Sequence, residues 1–145
     1  MKILAVDLGD ARTGLACCDK TEFLASPLCV LHERDINNVL SRVIAAAEEV
    51  EAGEIVIGHP KHMNGDEGDR AEKCAFFAKV LAQHVNIPVT LWDERCTTVM
   101  AHDILNETDV RGKKRKETVD AVAATLILES YLQYRKNKRE QQDKA

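Results

Sequence analysis

Three carboxylates stand where charge is costly unless it is used. Asp7 lies inside Lys2–Leu8 (KILAVDL), a run that is apolar on both faces. A carboxylate buried there needs a cation or hydrogen-bond donors. Glu94 follows a short apolar strand, in Asp93-Glu94-Arg95, and Asp120 falls in the first turn expected of the last helix. Carboxylates converging from separate segments make an all-oxygen site of the kind hard cations such as Mg²⁺ or Mn²⁺ prefer. Two such ions about 3.5–4 Å apart would activate water and stabilise the leaving oxygen of a phosphodiester. They would also offset the repulsion among the acids. Each acid has an ordinary alternative. Asp120 near a helix N-terminus is favourable through the macrodipole. Glu94 could pair with Arg95 or Arg12. Asp7 has the weakest alternative, because the strand around it reads as buried.

The basic residues are segregated. Residues 1–110 carry 10 Lys+Arg against 19 Asp+Glu, whereas residues 111–145 carry 10 against 5, within a formal net charge of -4. The runs Arg111–Lys116 and Arg135–Arg139 suit phosphate contacts, and equally suit a solvated loop and a frayed tail. Lys113, Lys114, Arg115 and Lys116 are the candidate phosphate contacts. Asp7-Leu8-Gly9 with Gly14 could cradle a phosphate between two strands. Trp92 and Tyr131 could stack a base, although core packing is the commoner use of such residues. His59 and His62 lack the further ligand spacing of a zinc site.

These residues are positioned by a readable series of elements. Lys2–Leu8 is a central strand buried on both sides. Thr13–Cys18 and Phe23–Leu31 are further strands in an antiparallel meander, with Pro27 marking a break or an edge. Asp35–Val50 has the apolar stripe Ile36, Val39, Leu40, Val43, Ile44 and Ala47 of an amphipathic helix ended by Gly53. Glu54–Gly58 is a strand and His59–Asp69 a polar loop. Arg70–Val85 is a helix, Val89–Asp93 the fifth strand and Thr97–Leu105 a short helix. Asn106–Lys116 reads as a basic flexible loop. Thr118 caps a last helix from Val119 to about Arg135. The order predicts an α/β fold, a mixed five-stranded sheet with helices on both faces. Residues 1–137 form one domain and 138–145 a flexible charged tail.

With 145 residues, 45% hydrophobic and 30% charged, the chain can bury a core and is not disordered overall. Its apolar stretches, among them Ala121–Leu128 with Thr125 inside it, fall far short of the roughly 20 residues that span a membrane. Asp7 interrupts the run that follows Met1-Lys2, so no secretory signal is read there. Cys17, Cys18, Cys29, Cys74 and Cys96 form no C-x-x-C pair and read as free thiols in a reducing cytoplasm.

The motifs V-D-L-G-D-A-R-T-G-L-A at 6–16, I-V-I-G-H-P-K-H-M-N-G at 55–65, D-E-R-C-T-T at 93–98 and R-K-E-T-V-D-A-V-A-A at 115–124, with Pro27-Leu28 between the first two, resemble those of the YqgF/RuvX family. Members are described as pre-16S rRNA nucleases and, earlier, as Holliday junction resolvases. The resemblance runs from about residue 2 to 134. It implies a ribonuclease H-like fold and makes Asp7, Glu94 and Asp120 the catalytic, metal-holding acids, with Asp7 bridging two Mg²⁺ or Mn²⁺ ions. It implies that Arg12, Arg95, Thr97 and Thr98 orient that shell or hold phosphate, and that Lys61, Asn64 and Gly65 lie near the substrate. Two positions depart from the pattern. Asp10 replaces a small hydroxyl residue and His59 an apolar one. Ala123 stands where related resolvases carry a further acid.

The function so implied is metal-dependent hydrolysis of structured nucleic acid, at the 5′ end of precursor 16S rRNA. Water would attack phosphorus in line, leaving a 5′-phosphate and a 3′-hydroxyl. The ribosomal particle is the implied setting, in the cytoplasm and away from any membrane, with the chain a monomer or homodimer. The alternatives are resolution of four-way DNA junctions and a non-catalytic nucleic-acid-binding module. An actin-like ATPase would need two domains around its nucleotide, and this length supplies one.

Overall fold

The computed structural model describes residues 1–60, 69–93 and 112–144, with the side chains of the last helix described from 122 to 142. Five strands form one mixed sheet. β1 (Ile3–Asp7), β2 (Arg12–Cys18) and β3 (Ala25–His32) form the antiparallel meander, and β4 (Glu54–His59) and β5 (Val89–Asp93) run parallel to β1 in the order β3-β2-β1-β4-β5. Helices α1 (Ile36–Glu49), α2 (Asp69–His84) and α3 (Gly112–Lys144) complete the described elements.

β1 is fully buried because both sides of it are covered. Successive strand residues point to opposite faces. Leu4 and Val6 therefore join Val39, Val43, Phe77 and Leu81 from α1 and α2, while Ile3 and Ala5 join Ala124, Ile127 and Leu128 from α3. The adjacent cysteines obey the same rule: Cys17 packs against the first cluster and Cys18 belongs to the second. Both, with Cys29 and Cys74, are free thiols. Pro27 sits on the edge strand β3 opposite Ala16, where the register slips between Leu15 and Ala16. A proline lacks the donor a central strand would need, and an edge bulge tolerates that.

Several boundaries differ from the sequence reading. Asp35 caps α1 by accepting a hydrogen bond from the Asn37 N–H at 2.9 Å, as its type favours. The turn beyond α1 is made by Glu51 in the left-handed region (φ 58°), not by Gly53. Gly53 is small because its backbone lies on Met1; a Cβ there would meet the Met1 Sδ at 2.7 Å. His59 is not in a loop but is the last residue of β4 and is buried. The last helix starts at Gly112, so 112–116 are helical rather than loop, and Thr118 is interior rather than a cap. Lys, Arg and Glu are good helix formers, and no proline interrupts the run. The same formers carry α3 past Arg135 to Lys144. Thr97–Leu105 and residues 106–111 lie outside the described residues. No described helix is long and apolar enough to cross a membrane.

Gly9 makes the turn from β1 to β2. A Cβ on it would lie 2.1 Å from the backbone oxygen of Arg12, so close backbone approach alone requires a glycine here. We expect Gly9→Ala to cost about 1–3 kcal/mol by forcing the backbone apart. Gly53→Ala should cost less, since the flexible end of Met1 can move. Urea midpoints of the two variants check the order.

Candidate active site

The carboxyl ends of β1, β4 and β5 share one edge of the sheet, because the three strands are parallel and adjacent. In open α/β sheets that edge is where sites form. Asp7 ends β1 there and is 6% exposed. By strand alternation it continues the Ile3–Ala5 face, the face that α3 covers. His59 and Asp93 end β4 and β5 and pair in register.

Asp7 is held by a residue that sequence reasoning missed. Arg70, in the first turn of α2, donates from Nη2 to Asp7 Oδ1 at 3.1 Å. It also donates to the Leu8 carbonyl from Nε at 3.3 Å and from Nη2 at 3.1 Å. The guanidinium fork thus clips the start of α2 to the end of β1, 63 positions away in sequence. Only the motif context of Asp7 could have hinted at such a partner, since a charged residue opening a helix is unremarkable.

Arg12 opens β2, across the turn from Asp7, and pairs with His32 of β3. With His32, Arg34, Glu33 and Ala11 it lines an open hollow of about 410 Å³. Asp10 is exposed, and its carboxylate accepts from Lys73 Nζ at 3.1 Å. That hydrogen bond and the lysine's charge hold the Asp10 carboxyl below its ordinary range. Asp10 therefore behaves as a turn residue with a surface partner.

Asp120 is not in the first turn of its helix; it lies eight residues after Gly112. The macrodipole benefit fades beyond the first turn, so the ordinary reason for an acid there is removed. Glu94, Arg95, Thr97, Thr98, Lys61 and Asn64 lie outside the described residues, as does His62. Lys113, Lys114, Arg115 and Lys116 fall in the opening of α3. Among the described residues no group of three His, Cys, Asp or Glu side chains assembles to hold a metal.

The helix that carries Asp120 is fastened at the opposite end of the sheet, around two acids the sequence reading passed over, Glu54 and Glu22. Glu54, which opens β4, is buried. It accepts hydrogen bonds from the Tyr131 hydroxyl, from Thr90 Oγ1 at 3.1 Å and from Arg135 Nη1 at 3.5 Å. Burial and the Glu54 carboxylate together push the Tyr131 phenol above its usual range, so it stays a donor. Trp92 donates from Nε1 to Ser130 Oγ at 3.1 Å and meets Tyr131 edge-to-face at 5.2 Å. Trp92 and Tyr131 therefore serve packing. Glu22 binds Arg135 Nε at 2.6 Å, Arg139 Nη1 at 3.2 Å and the N-terminal ammonium at 3.2 Å.

Burial opposes ionisation of Glu22, but Arg135 and the N-terminal ammonium outweigh it and hold the carboxyl at about 2. A depressed carboxyl stabilises the fold fully above its unfolded value of 4.5, and that contribution is lost as pH falls toward 2. We expect Glu22→Gln to remove on the order of 2–3 kcal/mol at pH 7 and to flatten the acid limb of stability between pH 4.5 and 2. Denaturation across that range measures it.

The strand order, with three antiparallel strands followed by two parallel ones, is that of a ribonuclease H-like fold. Solved structures agree on the fold. Thermus thermophilus RuvC in complex with Holliday junction substrate superimposes with a TM-score of 0.58 at 14% identity, over 94% of this chain and 96% of that one. The fowlpox virus Holliday junction resolvase gives 0.55 at 16% identity, over 92% and 99%. The chain belongs to the RuvX family, described as Holliday junction resolvase, which it matches over residues 1–134. It is 39% identical to the Clostridium acetobutylicum protein named "Putative pre-16S rRNA nuclease", over 91% of this chain and 98% of that protein. A Halothermothrix orenii protein of the same name is 40% identical, over 92% and 96%.

Proposed function

We propose that this chain is a divalent-metal-dependent nuclease that hydrolyses structured nucleic acid, and that its substrate is the 5′ leader of precursor 16S rRNA. The observation that carries the reading is Asp7: a carboxylate buried at the end of the central strand, already facing a cation, in a chain of the RuvX family. A hard-oxygen donor in that position fits Mg²⁺ or Mn²⁺. Asp7, Glu94 and Asp120 would hold the ions. The chemistry such ions supply is activation of water and neutralisation of the leaving oxygen.

The chain's own residues do the rest. Asp7 is fixed by β1 and cannot follow the ligand, so the substrate must come to it. Arg12, with His32 and Arg34 around the hollow beside it, suits the phosphate of an approaching strand. Lys61, Asn64, Arg95, Thr97 and Thr98 would complete the contacts near the scissile bond. Lys113, Lys114, Arg115 and Lys116 would draw in the polyanion from the start of α3. The setting is the cytoplasm, on or near the assembling ribosomal particle, with the chain as a monomer or homodimer.

Two experiments test this. In the first, a 16S leader fragment and a four-way DNA junction are incubated in parallel with Mg²⁺ or Mn²⁺. Cutting of the RNA alone is expected. Cutting of the junction alone would assign the chain to junction resolution, and cutting of neither would favour a binding role. In the second, Gln replaces Lys113, Lys114, Arg115 and Lys116 together. The slope of log K against log salt should then fall in magnitude by about 3–4, since each of the four phosphate contacts contributes about 0.7–0.9. An unchanged slope would remove those residues from the interface.

A further inference from the structure

The guanidinium of Arg70 sits on one oxygen, Oδ1, of the Asp7 carboxylate, the group whose negative charge a metal ion would also seek. The two partners are unlike. The Asp7 side chain is 7% exposed and belongs to a central strand, whereas the Arg70 side chain is 52% exposed and reaches in from the first turn of α2. The carboxylate cannot leave, but the arginine can withdraw toward solvent without opening the core. A second place for it lies close by. Asp10, on the turn after β1, is bound by Lys73 one turn along α2, on the helix face it shares with Arg70. The charge of Arg70 also contributes to keeping the Asp10 carboxyl ionised. Both α2 cations thus serve the same turn, and Arg70 has an acidic neighbour to turn to when displaced from Asp7.

We propose that Arg70 is an internal counter-cation that neutralises Asp7 in the metal-free protein and must be displaced when a divalent ion binds. The pairing keeps a buried carboxylate satisfied until loading, at the cost of weaker metal affinity. Apparent affinity is reduced by the fraction of molecules whose site is competent. By the same linkage, metal binding releases Arg70. Arg70 is on this view a positioning residue whose partner changes during loading. The inference rests on the metal-dependent reading above.

The test is Mn²⁺ titration by calorimetry of the full chain and of Arg70→Gln and Arg70→Lys, with thermal melts of each. Arg70→Gln should bind Mn²⁺ about five-fold more tightly, the order expected for loss of a partly exposed ion pair. It should melt lower without metal and regain more on adding Mn²⁺ than the unmodified chain does. Arg70→Lys keeps the charge and should stay close to the unmodified affinity. In the unmodified chain the Arg70 ¹⁵Nε resonance should move on adding Mg²⁺. Equal or weaker Mn²⁺ binding by Arg70→Gln, or a ¹⁵Nε resonance that stays fixed at saturating Mg²⁺, would overturn the inference and leave the metal reading standing. If Arg70→Gln is unfolded without metal, refolding on Mn²⁺ supports the inference and failure to refold at millimolar Mn²⁺ overturns it. No Mn²⁺ binding by any of the three proteins would overturn the metal reading itself, and this inference with it.

Discussion

Asp7→Asn is expected to lower single-turnover cleavage by about 10³-fold or more, which corresponds to about 4 kcal/mol of transition-state stabilisation, while leaving the fold in place. Asparagine has the same shape and keeps an oxygen for Arg70 at the position Asp7 Oδ1 now occupies. What it loses is the negative charge that a divalent ion needs. The arginine left behind is half exposed, so water can solvate it, and the stability cost should stay near about 1 kcal/mol. Circular dichroism and thermal melts verify the fold, and cleavage rates give the loss. An active Asp7→Asn would remove this residue from the chemistry. An inactive and unfolded variant would show that the acid is structural.

The largest effect on stability is expected at Glu54, at the other end of the sheet. Glu54→Leu leaves the Tyr131 hydroxyl, Thr90 and Arg135 without their shared acceptor in a buried setting. Removing one member of a buried charged network costs about 3–5 kcal/mol, because the groups left behind are desolvated without compensation. Glu54→Gln keeps an acceptor and should cost less. Tyr131→Phe added to Glu54→Leu should cost little more, since the two act as a unit. Urea unfolding of the singles and the double measures this. The consequence reaches the site, because α3, which carries Asp120, packs on β1 to β4 through this same end. Additive losses in the double variant would show that Glu54 and Tyr131 act independently.

What was legible in the sequence, and what was not, divides by range. The doubly apolar Lys2–Leu8 announced a central strand, and one acid inside it announced Asp7. Pro27 announced an edge, and the stripe from Ile36 to Ala47 a helix. These are local signals of period and residue type. The start of α3 was misread because a block of like charges resembles a loop, although lysine and arginine are good helix formers. That error placed Asp120 at a helix start and lent it a dipole explanation that its position does not support. Arg70 and Glu54 were invisible for a different reason. Their partners lie 63 and 77 positions away, and nothing in the local pattern of a charged residue says which distant group will meet it. The family motifs named Asp7 but not the arginine that satisfies it.

The end groups left on a 16S leader RNA after cutting test the central claim most directly. Metal-assisted attack by water at the Asp7 edge predicts cleavage that stops with chelator, returns with Mg²⁺ or Mn²⁺, and leaves a 5′-phosphate and a 3′-hydroxyl. Cleavage that persists in chelator and leaves a 2′,3′-cyclic phosphate would contradict it, because the RNA's own 2′-hydroxyl would then be the nucleophile and Asp7 would not mark the hydrolytic centre.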